Sequence, residues 1–278
     1  MQSLVLIGTD RHRMTLRPSQ VESDTLVVSF VPPRPLPGMT GLGASFALWL
    51  GFSHVEVEDS AAGQFQQLSP EELHKALAPL LPDHPRRFFC GASLGGHAAL
   101  YYANWFNARA IAFAPRLPGH AYFRPWLTAG RRRLARLPLS HRDLPDVADP
   151  ALRPSVLFDP WIAADAAYVD RFVRPAYPEA WFLPVRGGGH KVARLLAYQH
   201  RLKPILADIL VHERQPELGY DLDGRPRNHL RLARKALNRG DAPAASHWLF
   251  QLMRNPATPG LVEAMDRYHA LTGSALLR

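Results

Sequence analysis

The stretch FFCGASLGGHAAL, residues 88–100, limits the possible folds more than any other part of this sequence. A bulky apolar run passes through Gly91-Ala92-Ser93-Leu94-Gly95 directly into an alanine-rich segment of helical composition. A chain that turns from strand to helix in five residues starts its helix beneath the strand end. That crowding demands small side chains, and Gly91, Gly95, Gly96, Ala98 and Ala99 supply them. The same turn holds Ser93 out at the end of the strand. Alone, the pattern reads either as a tight glycine turn or as a serine presented for chemistry.

The rest of the chain sets the context. Short apolar runs bounded by turn residues predict strands at Leu4–Ile7, Thr25–Val31, His54–Val57, Phe88–Cys90, Ala110–Phe113, Val156–Phe158 and Trp181–Val185. The middle ones are continuous rather than alternating, as in a sheet covered on both faces. Helical patterns lie between them. Ser69-Pro70-Glu71-Glu72 has an N-cap serine followed by proline at the first helical position. Val192–Ile209 reads as one long helix despite Pro204. Strands alternating with helices predict an α/β protein with a mostly parallel sheet and helices on both faces.

Two segments break this rhythm. Residues 116–153 are rich in proline and arginine and fall between two strands, which predicts a lid-like insertion. A helix is expected within it over residues 124–137, with Arg131-Arg132-Arg133 as a solvated run or a contact for an anionic substrate. From residue 213 a polar, turn-rich linker leads into two or three short helices, one pair patterned like a tetratricopeptide hairpin. The expected division is therefore a main domain over 1–212 and a linker with a small helical appendage over 213–278. The appendage is a candidate surface for a protein partner.

Composition excludes several classes. The 278 residues are 47% hydrophobic and 21% charged, ordinary for a globular protein. The net charge of +9 is carried mainly by arginine, the only lysines being Lys75, Lys191, Lys203 and Lys235. Arginine enrichment also arises from coding bias, so the charge is compatible with an anionic partner without requiring one. No nucleic-acid motif accompanies it, and nucleic acid is not expected. Cys90, the single cysteine, rules out an internal disulfide and a cysteine-based zinc site. No apolar run of membrane-spanning length occurs, and MQSLVLIGTDRHRM does not read as a secretory leader. A cytoplasmic protein without metal or cofactor is expected.

A serine hydroxyl needs a base, and the base needs a carboxylate to orient it. His190 fits the base: WFLPVRGGGHKVARLL is a strand, three glycines, the histidine and then a helix. Asp159 fits the carboxylate, because it follows the apolar run SVLF directly. Asp165 and Asp170 lie deeper, in WIAADAAYVDRF, where Asp165 reads better as a helix N-cap or first-turn carboxylate. His97, four residues past Ser93, is expected to pack rather than react.

With Ser93 in GASLGG, Asp159 in FDP and His190 in GGGHK, residues 2–212 resemble the α/β-hydrolase superfamily in its order of nucleophile, acid and base. Within it the chain looks like a poorly characterised bacterial group associated with polysaccharide-related proteins. It departs from that group's pattern at Ala92 and His97, where the group often has serine and tyrosine. The resemblance implies an oxyanion hole built from the Leu94 amide and an amide at the end of the strand Thr25–Val31, from Phe30 or Val31, since Pro32 and Pro33 have no N–H. It implies ester, thioester or amide hydrolysis, or acyl transfer, without choosing among them. Hydrolysis of an ester or thioester through an acyl-enzyme, on a small-molecule or glycan-linked substrate, is the leading expectation, and the arginine charge suits an anionic one. Acyl transfer to a carbohydrate is one alternative, and a non-catalytic binding or assembly protein is the other.

Overall fold

The computed structural model describes residues 3–32, 43–127, 134, 136–218, 226–253 and 256–274. Its order of elements in the first part is β1 (Leu4–Gly8), β2 (His12–Arg17), β3 (Thr25–Val31), α1 (Ala44–Trp49), β4 (Ser53–Asp59), α2 (Pro70–Leu77), β5 (Arg86–Ala92) and α3 (Leu94–Ala103). There follow β6 (Arg109–Phe113), α4 (Leu144–Val147), β7 (Ser155–Phe158), α5 (Ala163–Tyr168), α6 (Arg174–Ala176), β8 (Trp181–Pro184), α7 (Val192–Tyr198) and α8 (Leu202–Leu210). The strands form one eight-stranded sheet in the order β1-β2-β4-β3-β5-β6-β7-β8. The pairs β1–β2 and β2–β4 are antiparallel and all the others are parallel.

Every residue of β3, TLVVSFV, is buried. A strand buried at successive positions is covered on both faces, which is why it reads as a continuous apolar run. β1 is the exposed edge, and β2 alternates Met14 and Leu16 inward against Arg13 outward. β2 is the strand that the apolar-run criterion passes over, since four of the six residues of HRMTLR are polar. Cys90 in β5 is fully buried, and burial pushes its thiol up to about 12, so it is a protonated packing group.

Helix starts follow their local chemistry. Ser69 caps α2, accepting from the Glu72 amide while the Glu72 side chain accepts from the Ser69 amide. The expected long helix over 192–209 is two helices. Pro204 cannot donate to residue 200, and its ring would collide with that carbonyl in a continuous helix. The chain breaks at Gln199–Arg201 with His200 at φ 58, and Pro204 falls in the first turn of α8, where no intrahelical donor is needed.

The insertion is packed down where it is described. Phe123, in a 3₁₀ turn over Ala121–Trp126, and Leu144, in α4, are buried in the main core. Gln66 Oε1 accepts from the amides of Ser140 and His141, and Gln64 Oε1 from that of Gly119. Residues 128–133, with Arg131, Arg132 and Arg133, lie outside the described residues, as does Ala135, so half of the expected 124–137 helix falls there.

Two compact units divide the chain, 1–217 and 218–278. The second has three helices among its described residues, α9 (Pro226–Leu237), α10 (Ala242–Leu252) and α11 (Leu261–Thr272). Leu230, Ala233, Leu237, Ala245, Leu249, Leu252, Leu261 and Ala264 form its own core. Asp241 caps α10 through the Ala244 amide. Among the described residues no helix is long and apolar enough to cross a membrane.

Candidate active site

The turn between β5 and α3 is as tight as its composition predicts. Ser93 sits at φ 55, ψ −115, a left-handed conformation costing a non-glycine residue on the order of 1–3 kcal/mol. Three backbone bonds hold it there: its amide donates to Phe113 O at 2.8 Å, and its carbonyl accepts from the amides of His97 (3.1 Å) and Arg116 (3.0 Å). The half-buried hydroxyl thus stands at the C-terminal end of the parallel strands, with the first amide of α3, that of Leu94, beside it. That amide has no partner within its own helix.

His190 reaches this serine from the loop after β8. Its Nε2 lies 2.9 Å from Ser93 Oγ. Its Nδ1 lies 3.0 and 3.1 Å from the two carboxylate oxygens of Asp165. A carboxylate only accepts, so Nδ1 carries the proton and donates. The neutral ring then keeps its Nε2 lone pair for the serine proton. Asp165 is completely buried.

Here the structure corrects the expected carboxylate. Asp165, in the first turn of α5, faces His190, whereas Asp159 faces the backbone. Asp159 Oδ1 accepts from the Trp161 amide at 2.9 Å and Oδ2 from the Gly189 amide at 2.7 Å. Gly189, at φ 66, immediately precedes His190. Asp159 therefore braces the histidine loop. The reason lies in reach: seven residues past the strand end, one helical turn carries an acid back over the sheet, and the flanking Ala163, Ala164, Ala166 and Ala167 keep that turn small. A lone carboxylate in an alanine-rich helix start was the available signal.

Arg116, which the sequence did not single out, completes the arrangement. Its Nε donates to Asp165 Oδ1 in a short contact, and its amide donates to the Ser93 carbonyl. One residue thereby ties the buried carboxylate to the serine turn. A buried carboxylate needs such pairing, because desolvation of an isolated charge is costly.

Phe30 and Val31 both lie within the β3 ladder, Phe30 opposite Gly91 and Val57, and Val31 opposite Glu58. The following residues, 33–42, are outside the described set, Pro33 among them. His97 is buried, with Nδ1 2.6 Å from Tyr168 Oη. Burial, then the neighbouring His141 and His120, push its pKa down to about 3. Between about pH 6.5 and 3 the unfolded chain binds a proton here that the folded chain does not, so acidification in that window destabilises the fold. Urea unfolding from pH 6 to 4 is expected to give His97→Gln a stability slope shallower than wild type by about 1.4 kcal/mol per pH unit. Equal slopes would mean that His97 is already charged in the folded protein.

A cavity of about 670 Å³ opens beside Ser93 and His190. Ala92, Phe113, Ala193, Ala197 and Leu202 give it apolar walls, Ser45 a hydroxyl, and Lys191 and Arg194 two cations. No described residue of 116–153 lines it, so the described part of the insertion is not its lid.

The model for "Uncharacterised protein family (UPF0227)" matches residues 42–134, which include the serine turn. No curated protein matches the sequence. Among solved structures the chain is similar to the capsule O-acetyltransferase of Neisseria meningitidis serogroup A, with TM-score 0.51 and 12% identity over 72% of this chain and 92% of that one. It is also similar to the "Putative hydrolase" from Agrobacterium vitis S4, with TM-score 0.50 and 17% identity over 74% and 97% of the two chains. These likenesses, with the sheet order, show that the main unit has the α/β-hydrolase fold.

Proposed function

We propose that this α/β-hydrolase-fold protein is a serine hydrolase that cleaves an ester or thioester through an acyl-enzyme. The observation that carries the proposal is the unbroken series Ser93 Oγ–His190 Nε2 at 2.9 Å and His190 Nδ1–Asp165 at 3.0 Å, on a serine held at positive φ. His190 takes the Ser93 proton as Oγ attacks the substrate carbonyl, and Asp165 stabilises the imidazolium that forms. Arg116 keeps Asp165 in place. The Leu94 amide stabilises the tetrahedral oxyanion, while the amides of Phe30 and Val31, first expected as the second donor, are taken up by the pairing of β3 with its two neighbours. His190 returns its proton to the departing alcohol. It then activates a water that attacks the acyl-serine and releases the acid.

A 4-nitrophenyl ester series from acetate to palmitate tests this. Hydrolysis by wild type that falls to background in Ser93→Ala supports the reading, and activity that survives the substitution refutes it.

The fold likeness to an O-acetyltransferase favours a second reading, in which a carbohydrate hydroxyl replaces water in the second step. The same residues would serve, His190 now deprotonating the sugar hydroxyl. Analysis of products with and without a carbohydrate acceptor separates the two. A non-catalytic role sits poorly with a backbone strained at the serine and a base hydrogen-bonded to it.

A further inference from the structure

Lys191 and Arg194 are exposed, and both line the cavity that contains Ser93 and His190. Lys191 is the N-cap residue of α7 and Arg194 lies in its first turn. Neither makes an ion pair among the described residues, in contrast to Arg86 with Glu213, Arg116 with Asp165, Arg174 with Asp170 and Arg214 with Asp208. No aspartate or glutamate lines the cavity. The remainder of the lining is alanine, leucine, phenylalanine and serine apart from His190.

This has a consequence for the proposed reaction. His190 becomes cationic when it takes the serine proton, and two uncompensated cations beside it oppose that step. An anion on the substrate removes the opposition and gains charge-assisted hydrogen bonds in the same place. An uncharged ester does neither.

We propose that the substrate is an anionic ester, whose carboxylate or phosphate is held by Lys191 and Arg194 while its apolar part lies against Ala193, Ala197 and Leu202. The proposal rests on the hydrolase reading for its chemistry, but the binding site can be tested without turnover.

Two matched pairs place the charge on either side of the scissile bond. 4-Nitrophenyl hemisuccinate is compared with 4-nitrophenyl butyrate, and 4-acetoxybenzoate with its methyl ester. In wild type at low ionic strength, kcat/KM for at least one anionic ester is expected to exceed that of its neutral partner by about tenfold after correction for intrinsic reactivity. The pair that shows the preference tells which side carries the charge. The ratio collapses towards one in Lys191→Gln/Arg194→Gln, falls below one in Arg194→Glu, and shrinks in high salt. A ratio near one in wild type, or one unchanged in the variants, overturns the proposal.

Calorimetric titration of Ser93→Ala with monomethyl succinate separates this from the hydrolase reading. Binding that the added Lys191→Gln/Arg194→Gln substitutions abolish, when wild type itself turns over no ester, upholds the anion site and rejects the hydrolase. Absence of binding, with neutral esters hydrolysed, rejects the anion site alone.

Discussion

Asp165→Asn is expected to lower turnover of an activated ester by about 10⁴-fold, and Asp159→Asn by no more than about 10²-fold. The two aspartates are both fully buried and lie six positions apart, so burial does not distinguish them. Their partners do. An asparagine at 165 can present its amide nitrogen to His190 Nδ1, which favours the tautomer with the proton on Nε2. The base then has no lone pair for the serine, and the developing imidazolium has no carboxylate. An asparagine at 159 keeps one acceptor for the amides of Trp161 and Gly189 and loses the other. That loosens the loop holding His190 without touching the proton path. The measurement is kcat in both variants at saturating ester, with near-ultraviolet circular dichroism to confirm folding. The reverse ranking, Asp159→Asn the more damaging, would restore the carboxylate first expected from the sequence.

Gly95→Ala is expected to destabilise the protein by at least about 3 kcal/mol, a fall in Tm of about 10 °C. An added Cβ would stand 2.1 Å from the Phe30 carbonyl oxygen and 3.0 Å from its carbon. Both are backbone atoms of the central strand, so neither can rotate away. Alanine improves helix propensity by about 1 kcal/mol, far too little to offset that overlap. Gly91 is closed in the same way by the backbone of Gly95, at 2.3 Å. Gly63→Ala is the control, because its nearest neighbour would be an ordinary 3.6 Å contact with the Gln67 side chain. Differential scanning calorimetry of the two variants decides. A Gly95→Ala protein with wild-type Tm would mean that α3 is free to move off β3.

The serine turn was legible because its composition and its geometry have one cause. Helix and strand backbones touch at Gly91 and Gly95, and nothing larger than glycine fits. The parallel strands were legible because coverage on both faces leaves a continuous apolar run, as in β3. β2 was not, since antiparallel pairing at the sheet's partly exposed end permits Arg13 to alternate with Met14. The helix break before Pro204 was a local rule outweighed by a strong apolar pattern, and the local rule prevailed. The carboxylate was misread for a different reason. Directly after a strand, position in the chain and position in space coincide, so Asp159 looked well placed. A helical turn then folds Asp165 back over the sheet, and linear spacing carries no sign of it. Arg116 was invisible for the same reason, being 49 positions from the aspartate that it holds.

The central claim is that Ser93 is a nucleophile made reactive by His190. Intact-protein mass spectrometry after exposure to a fluorophosphonate reads this directly. Wild type is expected to gain the mass of one phosphonyl group, mapped by peptide sequencing to Ser93. Ser93→Ala should gain none, and His190→Ala should react more slowly by about 10³-fold or more. A folded wild-type protein that stays unmodified, or an adduct that persists in Ser93→Ala, would contradict the account.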